Sequence, residues 1–231
     1  MIDRRALLGL SLLPWLGVRA RAQAPAANAP APPVYALALT AQDRADIARI
    51  EAYMNGLKTL KARFLQVAPD GATSGGTAWI ERPGRLRFEY APPTPLLLVA
   101  GHGLVFFHDS QLGQTSNFPL STTPLGILLS GNLKLSGDVT VTGMQRAPGQ
   151  LQVTLVRTAS PGDGSLTLVF ADPPLALRQW VVVDAQRQRT TVSLFDVQVG
   201  GTFDQSLFDY VDPAILGHGP AQGAPTTGNG G

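Results

Sequence analysis

The feature that most constrains this chain is a two-residue alternation of apolar and polar side chains that restarts repeatedly after short turn signals. Leu86, Phe88 and Tyr90 share one face of an extended segment, while Arg85, Arg87 and Glu89 share the other. Leu60, Ala62, Phe64 and Gln66 alternate in the same way upstream. The pattern predicts further strands at Thr77–Ile80, Leu104–Phe107, Val139–Gly143, Leu151–Arg157, Leu166–Phe170, Leu177–Val183 and Thr190–Val199. Pro95–Ala100 is apolar on both faces. Gly101-His102-Gly103, Ala147-Pro148-Gly149, residues 160–164 and Asp172-Pro173-Pro174 punctuate these runs. Intervals this short leave no room for crossover helices, so the sheet is expected to be antiparallel.

Two segments follow a helical period instead. Ile47, Ile50, Met54 and Leu57 form one stripe, preceded by Thr40 with Asp43 three residues on, and followed by Asn55-Gly56 as a stop. Arg44, Arg49 and Glu51 lie on the opposite side. The second segment, Pro119–Gly131, reads as a short helix capped by Thr122 or Thr123, with Pro124 in its first turn and Gly131 at its end. Its Leu125, Ile127, Leu128 and Leu129 are large and apolar. A short helix so apolar must cover an apolar surface.

The flanks differ in kind from this core. Residues 1–22 read as a secretory signal: Arg4-Arg5, the apolar run Ala6–Val18, and Ala20-Arg21-Ala22 as a cleavage pattern. The run is too short to cross a bilayer comfortably. Arg4-Arg5 also suggests a loose twin-arginine signal, although Asp3 precedes the pair and no Lys closes the motif, so both export routes stay open. Residues 23–39 form an Ala/Pro-rich linker and residues 214–231 a Gly/Pro-rich tail, both expected to be disordered. Residues 40–213 make the single folded domain.

Charge and composition exclude several functions. The chain has 18 basic and 16 acidic side chains; without the signal's four arginines and Asp3, 14 and 15 remain, and no overall drive toward nucleic acid is left. There is no cysteine, hence no disulfide, thiolate metal site, cysteine nucleophile or lipid attachment point. Catalysis has little support. His218 is in the tail, and His102 sits between glycines. His108-Asp109 are strand neighbours whose side chains point to opposite faces. Further ligands for a metal at His102 and His108 are missing, and no Gly-x-Ser-x-Gly, Walker or dinucleotide motif occurs. Neither an enzyme nor a cofactor is therefore expected. A sheet with one apolar face and two apolar helices can enclose a cavity for a hydrophobic ligand, or its side chains can pack against one another; the residues alone leave both open.

A resemblance becomes specific over the core. Phe64-x-Gln66 is followed by the run from Gly75-Gly76-Thr77 through Glu81-Arg82-Pro83-Gly84 to Phe88-Glu89-Tyr90, then Pro92-Pro93, Pro95–Ala100 and Thr123-Pro124-Leu125-x-x-Leu128-Leu129. Trp180-x-Val182-x-Asp184, Thr190-Thr191-Val192 and Asp204-x-Ser206-Leu207-Phe208-x-Tyr210-x-x-Pro213 close the series. In order and spacing this resembles the LolA family of periplasmic lipoprotein carriers. The resemblance implies a mainly β half-open antiparallel barrel whose hydrophobic concave face is covered by short helices. It implies a monomer that takes acylated lipoproteins from an inner-membrane ABC transporter and delivers them to an outer-membrane receptor in the periplasm. A lipid-binding sensor or envelope structural module of the same fold is the alternative. Arg82 matches the family arginine that contacts the lid helices. The other cavity and lid candidates are Phe64, Trp79, Leu86, Phe88, Tyr90, Leu97, Val99, Phe106, Leu125, Leu128, Leu129, Phe170 and Trp180. Leu86 stands where close relatives often carry Phe.

Overall fold

A computed structural model describes residues 36–212. The expected signal, most of the linker, and the tail lie outside the described residues. Eleven strands form one sheet: β1 (Thr59–Val67), β2 (Thr73–Glu81), β3 (Arg85–Tyr90), β4 (Leu96–Gly101), β5 (Leu104–Asp109), β6 (Gln114–Pro119), β7 (Val139–Ala147), β8 (Gln150–Arg157), β9 (Gly164–Ala171), β10 (Ala176–Asp184) and β11 (Arg189–Val199). The order is β6-β5-β4-β3-β2-β1-β11-β10-β9-β8-β7, with every neighbouring pair antiparallel. Consecutive strands pair by hairpins within β1–β6 and within β7–β11, as the short intervals there require, and β1 joins β11 to connect the two meanders. Among the described residues neither edge strand, β6 or β7, pairs with a further strand, so the barrel is incomplete.

Three bulges bend the sheet. Asp196 and Val197 of β11 stand opposite the single Ala62, Arg178 is an extra residue in β10, and Thr142 is an extra residue in β7. The β10 bulge shifts the phase of the alternation, so that Leu177 and Trp180, three residues apart, are both buried in one core. Strand β6 was not anticipated. Its Gln-Thr-Ser-Asn-Phe-Pro sequence is exposed except at Thr115, so it lacks the apolar period that marks a strand.

Helix α1 (Ala41–Gly56) begins with the expected capping box: Thr40 accepts from the Asp43 amide, and the Asp43 carboxylate accepts from the Thr40 amide. Ile50 and Met54 are fully buried. The supposed outer face is largely engaged. Arg49 pairs with Asp46 and Asp172, and Arg146 from β7 pairs with Asp43 and Asp46. Thr40 foremost, then Arg146, hold the Asp43 carboxyl down to about 2. Burial disfavours the charged form of Asp46, yet bonds from Arg146, Gln42 and Arg49 still leave it below its ordinary value. The expected linker also ends earlier than residue 39, because Leu37 and Leu39 pack on the core and the Leu37 amide donates to the Val141 carbonyl at 2.9 Å.

The second helical segment is shorter than expected. A 3-10 turn at Leu120–Thr122 leads to α2 (Leu125–Leu128). Neither threonine caps it. The Thr122 hydroxyl donates to the Pro119 carbonyl and the Thr123 hydroxyl to the Leu120 carbonyl, so both bond backwards into the turn. The cover continues beyond α2: Leu133 and Leu135 are buried, and residues 133–135 are fastened to α1. Asn55 bonds both the amide and the carbonyl of Leu133, and Glu51 accepts from the Leu135 amide at 2.7 Å.

Candidate functional site

Register decides which residues share the concave face. Phe64 lies opposite Gly76, which lies opposite Tyr90; Ala78 lies opposite Phe88, and Ile80 opposite Leu86. Gly76 is required here, because a Cβ would overlap the Glu89 carbonyl. With no side chain between them, the Phe64 and Tyr90 rings meet edge to face at 5.1 Å, while Phe64 stacks on Phe88 at 4.4 Å. Phe88 in turn meets Trp180, 6.0 Å away. The Tyr90 hydroxyl donates to Gln66 Oε1 at 2.8 Å, and burial pushes the phenol up to about 12. On the other half of the sheet, Leu168 pairs with Trp180 and Val153, and Leu151 with Phe170. The Phe170 ring meets Tyr53 of α1 edge to face at 5.8 Å.

The candidate residues therefore divide. Phe64, Leu86, Phe88, Tyr90, Phe170 and Trp180 belong to the concave wall, and Leu125, Leu128 and Leu129 to the cover packed against it. Trp79, Leu97, Val99 and Phe106 belong to the opposite face: Trp79 lies opposite Arg87, Arg87 opposite Val99, and Val99 opposite Phe106, with Leu97 on the same row. Trp79 lies under the Lys61 ammonium, 5.6 Å from the ring centre, and Phe106 is apolar for a separate cause. Residues 203–210 cross the back of β3–β5 as a strap, with Phe208 buried and Tyr210 stacked on Phe106 at 4.9 Å. Arg87 Nη1 donates to the Leu207 carbonyl, and the Tyr210 hydroxyl lies 2.7 Å from Thr115 Oγ1 and 3.2 Å from His108 Nδ1. A Cβ at Gly101 would come 2.5 Å from the Phe208 carbonyl oxygen, so glycine lets the strap pass. His108 thus serves a structural contact, with the Asp109 carboxylate turned to the amides of Gln111 and Leu112. His102 meets Asp209 at the surface. Among the described residues no group of three acidic, histidine or cysteine side chains is placed to hold a metal.

The wall and its cover are in contact throughout. Leu60, Ile80, Leu86, Leu128, Leu129 and Leu133 are each at most 2% exposed, so this is a closed arrangement. Arg82 joins the parts. It sits at the β2–β3 corner, is 5% exposed, and donates through Nη1 to the Met54 carbonyl and through Nη2 to the Ser130 carbonyl. The last carbonyls of a helix lack intrahelical donors and carry partial negative charge. No basic residue lies in the last turn of α1, so the corner supplies one. Burial lowers the guanidinium from its ordinary value. Beside it the Gly84 amide donates to the Leu129 carbonyl at 2.9 Å, and Gly131 packs on Pro83 closely enough that a Cβ would lie 3.1 Å away. A single corner thus grips both the end of α1 and the end of α2. A residue that was not singled out in the sequence, Arg157, grips the opposite end: its Nη2 donates to the Thr123 carbonyl at 2.8 Å. The one available signal was a charge continuing the apolar row Leu151, Val153, Leu155.

The residues that the fold brings together here are mostly apolar. Among known proteins, the family model described as outer membrane lipoprotein carrier protein LolA matches residues 55–211. An outer-membrane lipoprotein carrier protein of Methylococcus capsulatus is 28% identical over 175 residues, covering 72% of this chain and 83% of that protein. One of Chromohalobacter salexigens is 31% identical over 192 residues, covering 77% and 89%. Among solved structures, a LolA superfamily protein from Nitrosomonas europaea aligns with a TM-score of 0.40 at 10% identity, over 75% of this chain and 99% of that one. With two thirds of its length matched by the family model and a relative sharing nearly a third of its residues across most of both chains, this chain belongs to the LolA family.

Proposed function

We propose that this chain carries acylated lipoproteins across the periplasm, taking them from an inner-membrane ABC transporter and giving them to an outer-membrane receptor. The observation that carries the reading is the largely apolar seam, latched by Arg82, between the concave wall and the cover of α1 and residues 120–135. Each acyl methylene buried on that wall gains roughly 0.8 kcal/mol. Three chains on an open wall would hardly leave. Here the wall is already covered by Leu128, Leu129 and Leu133, so cargo must displace what the protein buries by itself. Net affinity is then the difference between two burials, and closing of the cover helps expel the cargo. No nucleotide or cofactor takes part in this exchange at the carrier. Export supplies the compartment: cleavage after Ala20-Arg21-Ala22 releases a chain beginning near Gln23, which N-terminal sequencing of the periplasmic protein checks.

The test is release of lipoprotein from inner membranes carrying the energised transporter. Lipoprotein should appear in the supernatant in a 1:1 complex with this chain. If the chain binds acylated peptide but the supernatant stays empty, while a LolA relative succeeds in parallel, the protein is a lipid-binding sensor or structural module and not a carrier.

A further inference from the structure

We propose that Arg157 is a second latch, holding the leading end of the cover as Arg82 holds its trailing end. This rests on the reading of residues 120–135 as a movable cover. Arg157 closes β8 on the concave face: it lies opposite Val139, and Val153 and Leu155 precede it on that row. A guanidinium at the end of an apolar row needs acceptors. It finds the Thr123 carbonyl, immediately before the proline that opens α2. Its Nε is buried without a hydrogen-bond partner, which leaves the bond from Nη2 to the Thr123 carbonyl to satisfy the group.

The cover is shaped around this group. At Gly126 a Cβ would lie 2.6 Å from Arg157 Nη2 and equally close to the Leu120 carbonyl oxygen. Any larger residue would drive α2 off the arginine. Beside the contact lies a cleft of about 430 Å³ lined by Ser121, Asp138, Arg157, Thr158 and Ser160. Arg157 thus bonds the cover at the edge of a partly polar cleft, while the Leu120 amide ties the preceding turn to the Gly103 carbonyl at 2.8 Å. The two arginines also belong to different halves of the sheet. Arg82 stands at the β2–β3 corner, and Arg157 on β8, beyond the β1–β11 junction. The cover between them is a strap across the mouth of the half-barrel. Releasing either arginine loosens one end of the cover, and releasing both loosens it along its length.

Hydrogen exchange on the full chain tests this, with Arg82→Leu as reference. Arg157→Leu should raise opening of residues 120–127 by roughly tenfold, the low end for a charged hydrogen bond at a partly exposed site. Pairing of β8 with β9 should be unchanged. Arg157→Lys should recover part of the protection, since an ammonium reaches one carbonyl. In Arg82→Leu the effect should begin at residues 128–133, and the double variant should loosen the whole cover more than either alone. If Arg82→Leu loosens the cover and Arg157→Leu does not, or if β7–β9 loosen in step with residues 120–127, Arg157 is a wall residue and the proposal is overturned. If neither variant changes the cover, the movable-cover reading itself fails. Should the leucine variant not fold, Arg157→Gln is read against the same outcomes.

Discussion

Replacing Arg82 with leucine tests the closing mechanism most directly. The substitution removes the donors to the Met54 and Ser130 carbonyls, and leaves the Gly84–Leu129 backbone bond and the Pro83–Gly131 contact in place. A third contact, to the Leu57 carbonyl at 3.4 Å, is too long to add much. A charged hydrogen bond contributes about 1.5–3 kcal/mol net. Two carbonyls lose their donor, but the wild-type closed state also bears the cost of keeping a guanidinium out of water. The closed state should therefore weaken by about one such bond, a factor of roughly ten to a hundred in the opening equilibrium. Most of the apolar core does not touch this side chain, so the fold should persist. The variant should load cargo, because the wall is intact, and should deliver it slowly, because reclosure no longer drives expulsion. Arg82→Lys should fall between, since a lysine cannot fork to α1 and the cover together. The assays are lipoprotein release from inner membranes and transfer to receptor-bearing outer membranes, measured separately. Unchanged transfer kinetics in Arg82→Leu would refute the argument and reduce the corner to a structural brace.

Two further outcomes follow from the same geometry. Leu128→Asp places a carboxylate without a partner where the native side chain is 1% exposed, a change costing several kcal/mol. Hydrogen exchange should rise in residues 122–131 before the strands, and in the unmutated protein detergent should protect Leu86–Tyr90; detergent that alters neither region would mark the cover as fixed core. Asp43 is ionised in the fold down to about pH 2, below the range where a free carboxylate protonates, so it contributes stability above about pH 4 that is lost as pH falls toward 2. Acid should thus free the first turn of α1 in that window, and Arg146→Leu should move the loss to higher pH; hydrogen exchange in that turn that is flat from pH 5 to 2 would contradict the assignment.

Much of this was written in local pattern. The period-two runs, the Thr40–Asp43 capping box and the turn residues belong to neighbours in the chain, and they determine strands, the first helix and an antiparallel sheet without reference to anything distant. The apolar run Leu125–Leu129 likewise announces a cover, and Arg82-Pro83-Gly84 a corner. Alternation says which residues share a face but not which face looks inward. Where Phe106 is apolar on the outer side, the reason lies far along the chain, in the strap that ends at Tyr210. The bulge that buries Leu177 and Trp180 together is a property of strand pairing, and the exposed β6 is held by its partner rather than by its own composition. Arg157 shows the same limit: a charge at a strand end reads as solvated until the tertiary fold brings the Thr123 carbonyl within 2.8 Å of it. Local sequence sets what each segment prefers, whereas faces, bulges and latches come from contacts between segments far apart in the chain, and those exist only once the sheet has curved and the cover has closed.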